Sequence, residues 1–88
     1  MARVSVILPV YNGASTIARA LGSVFAQTFT DYEIVVVDDG DDASTEAVIA
    51  GVDDSRVPIR LERQHRLGAA RARNRGATLA TGDFLLFC

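Results

Sequence analysis

The chain has 88 residues, 49% of them hydrophobic, and a formal net charge of −2. That length allows one domain at most, against a usual size of roughly 100–150 residues, while the apolar share is ample for a packed core. The slight acidity argues against general nucleic-acid binding.

The elements follow one another in a regular alternation. Val4-Ser5-Val6-Ile7-Leu8 reads as a first strand, ended by Pro9, which cannot donate to a central ladder. Tyr11-Asn12-Gly13 is loop chemistry, and Ser15 or Thr16 is placed to cap the helix that follows. In that helix Ile17, Leu21, Val24 and Phe25 form one apolar stripe. The second strand covers 33–37, and its unbroken Ile34-Val35-Val36-Val37 has the pattern of a strand buried on both faces of a parallel sheet. A second helix begins near Ser44, with Ala47, Val48 and Val52 as its inner face. A more exposed, alternating strand is expected over 57–61, a helix over 68–80 and a fourth strand over 83–87. Strands alternating with helices imply right-handed β-α-β crossovers and a Rossmann-like three-layer α/β/α parallel sheet.

Cys88 is the one cysteine, which excludes an intramolecular disulfide and fits a reducing compartment. The apolar stretch 7–10 is too short for a signal peptide and is broken by Pro9. No stretch reaches the roughly 20 apolar residues of a membrane-crossing helix. The expectation is a soluble, cytoplasmic protein.

Charge is sorted along the chain. Residues 31–54 hold nine acids and no base, whereas 56–75 hold seven arginines and one acid, Glu62. The tripeptide Asp38-Asp39-Gly40 closes the second strand, where open α/β sheets place their ligands, in the crevice outside the carboxyl ends. Two adjacent carboxylates there either serve a ligand or cap the next helix. In the last helix Ala69, Ala72, Gly76, Ala77 and Ala80 make a face of very small residues that lets it lie close to the sheet. Arg71 and Arg75, four apart, project together on another face, suited either to phosphate oxygens near the helix start or to solvent.

The blocks Val4-Ser5-Val6-Ile7-Leu8-Pro9-Val10-Tyr11-Asn12 and Val36-Val37-Asp38-Asp39-Gly40 resemble the opening of a family 2 glycosyltransferase. Leu67-Gly68-Ala69-Ala70-Arg71-Ala72-Arg73-Asn74-Arg75-Gly76 is similar to that family's glycine-to-Ala-Arg-Asn-x-Gly segment. Thr81-Gly82-Asp83-Phe84-Leu85-Leu86-Phe87 resembles the lead into its metal-binding strand. The resemblance covers essentially the whole chain and implies the first half of a GT-A domain, an amino-terminal nucleotide-sugar-binding portion of an inverting enzyme. By that resemblance Pro9, Val10 and Tyr11 line the nucleobase and ribose of a donor, usually a uridine diphosphate sugar, with Tyr11 as a flat wall. Asp39 accepts the uracil N–H and Arg71 lies near the diphosphate. Asn12, Asp38, Arg73 and Asn74 carry secondary or ordering roles.

Two departures stand out: Gly13 replaces a frequent acid, and Asp41-Asp42-Ala43 displaces the usual Ser and later Asp, with Asp41 and Asp42 free to cap the second helix. The family's Mg²⁺ or Mn²⁺ is held by an Asp-x-Asp expected just after Cys88, and its general base lies farther on. The chain is accordingly expected to be an amino-terminal piece that binds donor but holds no catalytic or metal residue, and is inactive alone. Acceptors in the family are lipids, glycans or proteins, with membrane association left open. The bare fourth strand is expected to self-associate.

Other classes fit less well. A dinucleotide-binding oxidoreductase needs a G-x-G-x-x-G turn where this chain has Pro9-Val10-Tyr11-Asn12-Gly13. A nucleotidyltransferase, expected to carry a Gly- and Arg/Lys-rich phosphate loop there, and a non-catalytic nucleotide-binding module are the alternatives.

Overall fold

The computed structural model describes residues 3–11, 13–26, 31–40, 44–52 and 57–88. Four strands, β1 (Val4–Val10), β2 (Tyr32–Asp38), β3 (Ile59–Arg63) and β4 (Phe84–Phe87), alternate with helices α1 (Ala14–Phe25), α2 (Ser44–Val52) and α3 (Ala69–Leu79). All the strands pair in parallel, in the order β3-β2-β1-β4. The chain steps outward from β1 to β3, then α3 carries it back across to β4. With right-handed crossovers, that reversal puts α3 on the opposite face from α1 and α2. The sheet therefore switches direction at β1, the place where ligands bind in open α/β sheets.

Side-chain alternation divides the core. Val6, Leu8, Ile34 and Val36 pack with Ile17 and Leu21 of α1, and with Tyr32 and Val57. Ile7, Val35 and Val37 face the other way, against Ala72 of α3. Ile34 through Val37 are fully buried, as a strand covered on both sides requires. Gly76 is needed where it stands, because a Cβ there would run into Ile7 Cγ2. The small-residue face thus does bring α3 onto the sheet, through Ala72 and Gly76, whereas Ala69 is exposed and Ala77 half-buried.

Several element boundaries differ from the sequence expectation. β1 continues through Pro9 to Val10. Asp39 N–H donates to Val10 O and Cys88 N–H to Ile7 O, so odd-numbered residues of β1 turn their polar groups toward β4. Pro9 is on the edge of β1 that faces β4, one step past the last described pair, Ile7↔Phe87. α1 starts at Ala14 with Gly13 as N-cap and no side-chain cap, which puts Ser15 and Thr16 inside the first turn rather than at the cap. β3 lies two residues later than expected, because Pro58 stands outside it and offers its carbonyl to Ile34 N–H. Of the expected inner face of α2, Val48 packs inward, joined by Thr45 and Ile49, Ala47 is exposed, and the Val52 side chain lies outside the described residues. Asp41 and Asp42 lie outside the described residues.

The amino ends of the strands are tied by one carboxylate. Glu33 Oε2 accepts from Ser5 Oγ at 2.5 Å, Thr81 N–H at 2.6 Å and Thr81 Oγ1 at 2.9 Å, while Gly82 N–H donates to Ser5 Oγ at 2.9 Å. This joins β1, β2 and the loop before β4. Burial pushes the Glu33 carboxyl up, but the Ser5 and Thr81 donors outweigh it and hold the group below its usual value of 4.5.

Candidate functional site

Strand alternation gives the adjacent acids different surroundings. Asp38 follows Ile34 and Val36 onto the α1–α2 face, and Asp39 follows Val35 and Val37 onto the α3 face. Asp38 is fully buried. Its Oδ1 accepts Gly40 N–H at 3.0 Å, and its Oδ2 lies 3.4 Å from Arg63 Nη1, whose Nε bonds Glu46 Oε1 at 3.0 Å. It ties the ends of β2 and β3 to the first turn of α2.

Asp39 sits opposite the loop joining β3 to α3. Leu67 N–H donates to its Oδ1 at 2.7 Å, the Gln64 side-chain amide to the same oxygen at 2.9 Å, and Gly68 N–H to Oδ2 at 2.9 Å. Successive backbone N–H groups converging on one carboxylate make an anion-holding concavity of the kind found at phosphate sites. The loop reaches this shape through two residues with positive φ, Arg66 at 51° and Gly68 at 94°, the second of which strongly favours glycine. Burial pushes the Asp39 carboxyl up, yet the Leu67, Gln64 and Gly68 donors, with the charge of His65 nearby, hold it below its ordinary value. Asp39 therefore stays an anion and an acceptor.

Pro9, Val10, Tyr11 and Asp39 line one cleft of about 90 Å³, with Ala69 and Ala72 of α3 completing its lining. Tyr11 is 57% exposed, so its ring stands as an outer wall. The same segment of β1 borders a second, apolar cleft of about 220 Å³ on the α1 side, where Thr16, Ile17 and Cys88 complete the lining. Pro9 to Tyr11 thus form the partition between two clefts at the sheet's switch point.

Arg71 does not line the Asp39 cleft. With Asn74 it borders a neighbouring groove of about 410 Å³, together with Arg63, Arg75, Gln64 and Leu67. Gln64 and Leu67 stand between, touching Asp39 on one side and the arginine groove on the other. Arg75 is held by Glu62, at 2.5 Å from Nη2 and 3.0 Å from Nε. Arg71 has no ion pair among the described residues. Arg73 is exposed and borders neither of these clefts, and Asn12 lies outside the described residues.

Gln64 was absent from the sequence expectation, as were the Leu67 and Gly68 amides. The register Asp38↔Arg63 sets Gln64 beside Asp39, and that register is not written in composition or periodicity. Among the described residues no group of three His, Cys, Asp or Glu side chains gathers where it could hold a metal ion. Asp39 is held by backbone donors and Gln64, and Asp38 faces the Arg63 guanidinium, although its buried Oδ2 accepts no hydrogen bond among the described residues, so this pair is not arranged as a cation site. Among the described residues no helix is long and apolar enough to cross a membrane.

The chain is similar to known proteins in sequence and in fold. A family model described as glycosyl transferase family 2 matches residues 5–88. A UDP-Glc:α-D-GlcNAc-diphosphoundecaprenol β-1,3-glucosyltransferase of Escherichia coli is 37% identical over 84 residues, covering 96% of this chain and 33% of that protein. A validoxylamine A glucosyltransferase of Streptomyces hygroscopicus subsp. jinggangensis is 41% identical over 87 residues, covering 94% and 20%. Among solved structures, a mannosyltransferase from Pyrobaculum calidifontis in complex with GDP-Man and Mn²⁺ superposes with a TM-score of 0.84 at 30% identity, covering 94% of this chain and 26% of that one. The chain spans a third or less of the length of these relatives. With the match running from the first strand to the last residue, the chain belongs to glycosyl transferase family 2.

Proposed function

We propose that this chain is the donor-nucleotide-binding portion of a glycosyltransferase that uses a nucleoside diphosphate sugar, and that the donor is a UDP-sugar. The observation that carries this reading is Asp39, an ionised carboxylate at the wall of a narrow cleft between Tyr11 and the start of α3. An acceptor-only group in that position suits the ring N–H of uracil. The exposed Tyr11 ring beside it offers a flat wall for a base.

Arg71 and the free N–H groups at the start of α3 then serve the diphosphate, with the β3–α3 loop between base and phosphates. The whole protein transfers its sugar with inversion, using a divalent cation and a general base outside these residues, as the family resemblance implies. The relative named for a diphosphoundecaprenol substrate favours a lipid-linked acceptor, and the place we assign to the whole protein is cytoplasmic, peripheral to the membrane. The 88 residues alone bind donor weakly, transfer nothing, and associate through β4, whose Phe84, Leu85, Leu86 and Phe87 are all exposed.

Calorimetric titration with UDP tests the reading. Binding is expected to be weak and nearly independent of Mg²⁺, and Asp39→Ala to lower it tenfold or more, about the value of a hydrogen bond to a charged group. An unchanged affinity in Asp39→Ala removes the role assigned to that carboxylate.

A further inference from the structure

A carboxylate offers about four acceptor positions, two on each oxygen. In Asp39 both positions of Oδ1 are taken, one by Leu67 N–H and one by the Gln64 amide, and one of the two on Oδ2 is taken by Gly68 N–H. Counting donors from the described residues, one acceptor position remains. We propose that Gln64 is a specificity-determining positioning residue: by filling Oδ1 from behind, it limits Asp39 to a single incoming donor and so selects bases that present one ring N–H over bases that present two adjacent donors. This rests on the reading of Asp39 as the acceptor for the base.

Uracil presents a lone N3–H between two carbonyls. Guanine presents N1–H and an exocyclic N–H side by side, a pair that grips both oxygens of an open carboxylate. Against a carboxylate with one free position, the second guanine donor is desolvated without a partner, which costs more than a bond never attempted. Gln64 is held for this task at both of its amide hydrogens, since its Nε2 also donates to Gly68 O at 3.3 Å. It borders the arginine groove rather than the base cleft, so its effect on the base runs through Asp39.

The test compares UDP, GDP and IDP on the wild-type protein, Gln64→Leu, Gln64→Asn and Asp39→Ala. IDP is GDP without the exocyclic amine, so the two purines differ by one donor at almost equal size. The wild-type protein is expected to bind GDP no more tightly than IDP. Gln64→Leu removes the amide, and Gln64→Asn retains it one methylene too far from Asp39. In both variants GDP is expected to overtake IDP by roughly tenfold, the worth of one added hydrogen bond to a charged group. A GDP-to-IDP ratio within twofold of the wild-type value in both variants overturns the proposal, as does an equal loss of all three nucleotides. If Asp39→Ala leaves UDP binding intact, the base reading itself falls. If Asp39→Ala weakens UDP while the purine ratio stays fixed, only the role of Gln64 falls.

Discussion

The two faces of the sheet are packed by different means. On the α1–α2 side, Leu21, Ile17, Leu8 and Ile34 fill the space with large aliphatic groups. On the α3 side, Ile7, Val35 and Val37 meet chiefly an alanine and a glycine, with Leu79 and Ala80 only partly buried beside them. The first arrangement gains apolar burial, whereas the second gains nearness. With α3 drawn down onto the sheet, its leading residues Gly68 and Ala69 come within reach of Asp39 and the Pro9–Tyr11 segment. One face supplies stability and the other positions the site.

Substitutions should separate these roles. Leu21→Ala, a deletion from the large-residue face, is expected to cost about 2–5 kcal/mol in denaturant unfolding. UDP affinity of the remaining folded protein should be unchanged. Gly76→Ala is expected to cost less, about 1–3 kcal/mol, because the added methyl meets Ile7 and lifts α3. It should also weaken UDP binding several-fold, because Asp39 then loses its Leu67 and Gly68 partners. If Gly76→Ala destabilises without touching affinity, closeness of α3 is a packing matter alone.

The amino ends of the strands give the smallest effect. Glu33→Gln is expected to cost about 1 kcal/mol, because the three charge-assisted hydrogen bonds to its Oε2 weaken to neutral ones while an amide oxygen can still accept them. Glu33 binds its proton less readily in the fold than in the unfolded chain, whose value is near 4.5. Its contribution is therefore complete above that value and fades as pH falls through the lower, folded one. Asp39 behaves in the same sense, so Glu33→Gln should flatten the acid limb of a stability–pH curve only partly. An acid limb identical to the wild type would mean that Glu33 titrates alike in both states.

Alternation and periodicity were enough to place all seven elements, since Ile34 to Val37 and the α1 stripe declare their burial through residue type. Pro9 misled at the end of β1, because its cost depends on which neighbour a strand edge faces, and Pro9 still pairs with Val37 of β2 through the other edge. The candidate site was legible at Asp39 and Tyr11, through the resemblance and their place at strand ends. Gln64 and the positive-φ loop were not, because they act through a register between β2 and β3 and through backbone amides that every residue carries. Arg71, legible as a cation on the first turn of α3, turned out to border a different groove from the base cleft.

The grip of the Leu67 and Gly68 amides on Asp39 has a spectroscopic consequence. Two protons donated to one carboxylate should resonate far downfield, exchange slowly with solvent, and move together when that carboxylate is neutralised. A nucleotide that draws on the remaining oxygen position would pull charge away from both at once. Paired shifts of these two signals would then report occupancy of the cleft from behind it, without any label on the ligand.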